Sequence, residues 1–174
     1  MRAVLFTLLL LCGSLPLQAA EQVVFAAEPS WLQAVAPPTS PPQAAVSGQR
    51  YLLVDRQNYV DSSQVQRFSR FVIQITSTEG LEKASQLDFD FDPSYETLTI
   101  HKAQVWRAGK ALDRLEPNEL RVFQREANLE RFLYSGTRTA YLILPDIRVG
   151  DVLEYSYTVQ GNNPVMGGRY SDTL

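Results

Sequence analysis

The sequence predicts an all-β domain, an antiparallel sandwich-like fold over residues 49–174, and two observations carry that prediction. Apolar and polar residues alternate with a period of two, most sharply where Leu87, Phe89 and Phe91 interleave with Asp88, Asp90 and Asp92. Turn signals recur at short spacing: Glu79-Gly80, Pro93, Ala108-Gly109, Pro145-Asp146 and Gly150-Asp151. Short alternating segments divided by such turns suit an antiparallel sandwich or a barrel-like β domain.

Residues 1–20 read as a secretory signal peptide, with Arg2, an apolar run through Cys12 and a small-residue exit at Ala19-Ala20. The run is too short to span a bilayer. Leu9, Leu10 and Leu11 before Cys12 do not suit a lipidation signal. Gln18, three before a cut after Ala20, leaves an uncleaved anchor as the alternative. Residues 21–48 contain Pro29, Pro37, Pro38, Pro41 and Pro42 and read as an extended arm, with Trp31 and Leu32 as its apolar anchor.

Strands begin after Gly48. Tyr51, Leu53 and Asp55 alternate with Leu52, Val54 and Arg56, and Phe71, Ile73 and Ile75 share one face of the next strand. Glu79-Gly80 supplies a turn into the strand at residues 87–91, which Pro93 ends. Another strand runs through Leu98 and Ile100 to Val105 and Trp106, and Ala108-Gly109 turns it back through Lys110 and Leu112. Residues 141–144 form a short strand. After Gly150-Asp151, Leu153, Tyr155, Tyr157 and Val159 alternate with Val152, Glu154, Ser156 and Thr158. In residues 116–134, Leu120, Phe123, Leu129, Phe132 and Leu133 fit a helical period about as well as an extended one, with a lean to one helical turn beside strand.

Removing twenty residues from 174 leaves 154, enough for one domain with a workable core. Without Arg2 the chain has 15 Lys and Arg against 19 Asp and Glu, a net charge of −4. Mild acidity argues against nucleic acid, which demands a basic stripe. No later apolar run is long enough for a membrane span. The expected product is soluble and exported to the periplasm of a Gram-negative bacterium.

The single cysteine falls in the leader, so the mature chain is expected to lack a disulfide, a thiol nucleophile and a thiolate metal site. The single histidine, His101, has the parity of Thr97 and Thr99, opposite to Leu98 and Ile100. It reads as a solvent-facing strand residue rather than a general base, since the local sequence implies no orienting partner. One histidine without cysteine does not make the usual zinc sets.

Asp88, Asp90 and Asp92 open like a calcium loop, but Pro93 stands where glycine must turn and Thr99 where the bidentate glutamate belongs. Glu126 and Glu130 would share a helical face, a spacing that also fits an ordinary solvated surface. Tyr95, Trp106 and Tyr134 are candidates for a sugar- or peptide-binding platform, against ordinary packing. No catalytic, cofactor-binding or metal-ligating residue is assigned, and no cofactor is expected.

Several segments, in order, carry a resemblance. They are Tyr51-Leu52-Leu53-Val54-Asp55-Arg56-Gln57, Glu79-Gly80-Leu81, Phe91-Asp92-Pro93-Ser94-Tyr95-Glu96-Thr97-Leu98, Arg107-Ala108-Gly109-Lys110, Gln124-Arg125-Glu126 and Val149-Gly150-Asp151-Val152-Leu153-Glu154-Tyr155-Ser156-Tyr157. Together they resemble the domain of unknown function at the N-terminus of bacterial transglutaminase-like envelope proteins. The resemblance implies a non-catalytic β domain preceding a papain-like core with a Cys-His-Asp triad, and nothing here receives that triad. It also implies further strands after Leu174, so that the domain is expected to be truncated, with an open sheet edge and lower stability than a longer form.

The expected function is therefore an exported, non-catalytic accessory or interaction domain, its partner a downstream or separate transglutaminase-like domain. The alternatives are a module for cell-envelope peptide or glycan and, third, a carboxylate-based hydrolase.

Overall fold

Strand alternation resolves into two sheets packed face to face. The computed structural model describes residues 23–38, 44–62, 64–124 and 136–167, and residues 1–20, which read as a signal peptide, lie outside them. Nine strands occur in chain order among these residues: β1 (Val23–Phe25), β2 (Gln49–Val60), β3 (Val65–Ile75), β4 (Gln86–Phe91), β5 (Glu96–Arg107), β6 (Lys110–Asp113), β7 (Leu120–Gln124), β8 (Arg138–Ile143) and β9 (Val152–Gly161). A short helix, α1 (Thr78–Ala84), joins β3 to β4.

The first sheet runs β1-β5-β9-β3-β2, with β6 paired to the far end of β5, and the second runs β4-β8-β7. Every pairing is antiparallel except β1 on β5. The all-β sandwich-like fold expected from the sequence is what forms.

The two inner faces make the core. Leu87, Phe89 and Phe91 of β4 and Ala140 and Leu142 of β8 meet Leu98, Ile100, Ala103 and Val105 of β5 and Leu153 and Val159 of β9. The Phe89 ring lies edge-on to Tyr155 and Tyr157, at centroid separations of 6.2 and 4.9 Å. Such contacts add to the free energy of excluding three aromatic rings from water.

Three local readings are corrected and a fourth holds over the residues described. Glu79-Gly80 is not a turn but lies in α1, because Ser77 caps the helix by accepting from the Gly80 N–H and Lys83 reaches Glu79 at 2.9 Å. In β2 the ladder slips at Leu52, so Tyr51 pairs with Ile73 while Leu53 and Asp55 point to the other face. In β5 a second bulge lies at His101, between Ile100 and Lys102. Apolar parity switches there, from Leu98 and Ile100 to Ala103 and Val105, and the extra residue keeps both pairs facing inward. The lean to a helical turn in residues 116–134 resolves as a single 3-10 turn at Pro117–Glu119 followed by β7, and residues 125–135 lie outside the described residues.

The arm begins inside the fold. Val23 is buried and pairs with Leu98, so three residues of the Pro-rich segment form a sheet strand. Residues 26–35 then cross the outer face of the first sheet as a strap, from β5 towards β2. Its hold on β2 and β3 is specific: the Trp31 indole donates to Gln66 Oε1 at 2.8 Å and lies 5.7 Å from the Tyr59 ring.

Candidate functional site

Registers place a polar face beneath the strap. One cross-strand row holds Asp55, Arg70, Ser156 and Lys102, and the neighbouring row holds Leu53, Val72, Glu154 and Gln104. Polar residues buried on a sheet face are costly unless they satisfy one another.

Glu154 is the centre of that satisfaction. It is 5 % exposed. Its Oε1 accepts from Arg70 Nε at 3.0 Å and lies 3.4 Å from Lys102 Nζ, and its Oε2 accepts from Gln104 at 2.7 Å and from the Trp106 indole at 2.8 Å. Burial pushes this carboxyl up, but the hydrogen bonds from Trp106 and Gln104 and the charges of Lys102 and Arg70 outweigh it. The net result lies below the usual carboxylate range.

The strap closes over this network. Ser156 donates to Glu28 at 2.7 Å, Arg70 Nη1 donates to the Val35 carbonyl at 3.0 Å, and Gln57 and the Gln33 backbone exchange two hydrogen bonds. Between strap and sheet lies a cavity of about 370 Å³, whose walls include Pro29, Leu32, Val35, Asp55, Phe68 and Arg70.

His101 is not the solvent-facing residue the sequence implied. The bulge turns its ring under the strap, where Nδ1 lies 3.0 Å from the Ala26 carbonyl and Nε2 lies 2.7 Å from Thr158 Oγ1. A carbonyl only accepts, so Nδ1 carries the proton and Nε2 accepts from the threonine hydroxyl. Burial pushes the ring's pKa down, against the opposing hydrogen bond to Ala26 and the charge of Glu28.

A hydroxyl, an imidazole and an orienting group thus stand in the order of a nucleophile-base pair. Thr158, however, is 3 % exposed, and its hydroxyl lies in the sheet beneath the strap. The parity switch across His101 was the sequence signal for this position. The Ala26 contact, across 75 positions, had none.

The other candidates are not brought together. Asp88 accepts from Gln86, Asp90 from Thr139 and Asp92 from Ser94, so each carboxylate serves its own neighbourhood. Among the described residues no group of three or more His, Cys, Asp and Glu side chains could hold a metal ion. Tyr95 precedes β5 and Trp106 sits at its far end, which puts them more than about 30 Å apart along the strand and undoes the platform. Glu126, Glu130 and Tyr134 lie outside the described residues.

Acid should weaken the fold in two stages. His101 has a folded pKa below its unfolded value, so the unfolded chain takes up a proton first and stability falls as pH drops below roughly 6.5. Asp151, held down chiefly by its hydrogen bonds from Arg107, and Glu154 add a steeper loss as pH falls below roughly 4 and through their lower folded values. Urea midpoints from pH 8 to 3 check this. With one histidine in the chain, His101→Gln should remove the first stage, and a first stage that survives the substitution contradicts the assignment.

The profile of a domain of unknown function with a solved structure, DUF3857, matches residues 61–173. The chain belongs to this family. That span begins just after β2 and runs through β9, while β1, the strap and β2 lie before it. The DUF3857 fold here is similar to part of the crystal structure of a candidate protease from Parabacteroides distasonis, with a TM-score of 0.57 and 12% identity. The likeness covers 68% of this chain and 24% of that one, so this chain spans about a quarter of that protein's length. At that identity the likeness shows the fold alone. No curated protein matches the sequence. Among the described residues no helix is long and apolar enough to cross a membrane.

Proposed function

We propose that this DUF3857 chain is a non-catalytic accessory domain, exported to the cell envelope, whose strapped sheet face serves interaction with a protease- or transglutaminase-like core. The observation that carries this reading is the use of His101. Both ring nitrogens are committed within the fold, and the hydroxyl beside it is buried. A base in that setting holds the strap to the sheet and does not reach a substrate.

Two further points support it. The family's own description assigns no activity, and the similar solved protein is a candidate protease in which the matched portion is a minor part of the chain. A domain of this kind contributes surface, positioning or ligand capture to a larger enzyme.

Crosslinking of the exported chain in intact envelopes, with identification of captured proteins, tests the proposal. Capture should include a protein with a protease- or transglutaminase-like core, and capture should weaken when Trp31→Ala loosens the strap. Captured sets that never contain such a core would overturn the proposed partnership.

A further inference from the structure

We infer that the cavity beneath the strap is a binding site for an alkylammonium group, of the kind a lysine side chain presents in an extended peptide. The inference rests on reading this face as an interaction surface, and it names what that surface recognises.

Asp55 supplies the reason. It is 9 % exposed and lines the cavity, yet among the described residues its carboxylate receives a single donor, the Gln57 amide, at 3.2 Å from one oxygen and 3.0 Å from the other. Arg70 faces Asp55 directly across the ladder. Its guanidinium is turned away, with Nε and Nη2 on Glu154 at 3.0 and 2.8 Å and Nη1 on the Val35 carbonyl. Among the described residues no lysine or arginine forms an ion pair with Asp55. A carboxylate has about four acceptor positions, and burying one this sparsely served is expensive.

The surroundings select the ligand's charge and shape. Glu28 lines the same cavity and pairs with Lys102 at 3.6 Å, but Lys102 also pairs with Glu154, as does Arg70, so two cations serve the three carboxylates Asp55, Glu28 and Glu154. The field inside is therefore negative and favours a cation. Pro29, Leu32, Val35 and Phe68 supply an apolar wall, which suits a hydrocarbon stem behind the charge and disfavours a bare metal ion. A volume of about 370 Å³ accommodates one amino-acid side chain and not a folded partner.

Gln57 links the occupant to the strap. The same Nε2 that serves Asp55 also donates to the Gln33 carbonyl at 2.8 Å, so an ammonium taking over Asp55 leaves Gln57 to the strap. Occupancy should therefore tighten residues 31–35.

Titration of the purified chain with Nα-acetyl-lysine methylamide, followed by amide chemical shifts, tests the site. Saturable shifts are expected at Gln33, Asp55, Gln57 and Arg70, with at least tenfold weaker binding of the norleucine analogue, which keeps the stem and loses the charge. Asp55→Asn should cost at least tenfold in binding while its Tm stays the same or rises, because an unpaired buried charge is removed. A merely structural Asp55 would instead lower the Tm. Absent shifts, equal binding of the two probes, or unchanged binding by Asp55→Asn would each overturn the inference. Failure here leaves the crosslinking result untouched, and absence of an enzyme partner leaves ammonium binding untouched, so the two readings fail separately.

Discussion

Glu154→Gln should lower the unfolding free energy by about 3 kcal/mol, in the range for breaking a buried ion pair. Glutamine keeps the shape but offers one accepting oxygen to four donors, and its amide group points a fifth donor at them. Gln104, Trp106, Lys102 and Arg70 all converge on this carboxylate. The side chains of Arg70 and Lys102 are 21% and 33% exposed, so water recovers part of the loss and keeps it near the low end. Urea denaturation measures the loss. Arg70→Gln placed on top of Glu154→Gln should cost much less than Arg70→Gln alone, because the two share one network. The Trp106 indole, released from Oε2, provides a fluorescence readout beside the stability. A loss below about 1 kcal/mol would show that the strap and not the carboxylate organises this face.

Gly80→Ala should also destabilise strongly, by roughly 2–3 kcal/mol as for an overpacked site. Helix propensity alone gives the opposite sign, a gain of up to about 1 kcal/mol for replacing glycine by alanine inside a helix. Packing decides, because a methyl group at Gly80 would overlap the carbonyl of Gly48. That carbonyl cannot retreat freely, since it accepts from the Thr76 N–H at 2.8 Å and belongs to a residue at φ 75°. Gln49 further ties its side-chain amide to the Gly80 carbonyl at 3.2 Å. Thermal melts of Gly80→Ala and of the exposed control Lys83→Ala separate the two effects. The control loses only a helix-surface pair of a few tenths of a kcal/mol.

The strands were legible where burial imposes strict alternation. Residues of β4 and β9 read correctly because one face of each meets the opposite sheet, and Ala108-Gly109 marked the β5–β6 hairpin through its two positive φ values, 49° and 75°. The alternation from Tyr51 towards Val60 and from Leu98 to Trp106 reads as two unbroken strands, whereas each contains a bulge, and a bulge hides in a sequence unless the change of parity is followed along the strand. For β5 that change was present, from Leu98 and Ile100 to Ala103 and Val105.

Neither α1 nor β1 announced itself. A seven-residue helix carries too few turns for periodicity to speak, and Val23 pairs in parallel with a strand more than seventy positions away. The site was illegible for the same reason. Glu154 looked like the polar half of an alternating strand, and only tertiary pairing gives it Arg70, Lys102, Gln104 and Trp106 as partners. A buried carboxylate and an exposed one have the same letter.

The measurement that bears most directly on the non-catalytic reading is a turnover assay of the purified chain on peptides, on cell-wall glycan and on a glutaminyl peptide with an amine acceptor. Turnover indistinguishable from buffer is expected on all three, with no difference between the native chain and its Thr158→Val, His101→Gln and Glu126→Gln variants. Turnover by the native chain that falls at least a hundredfold in one folded variant would contradict that reading, and would assign the chemistry to that residue.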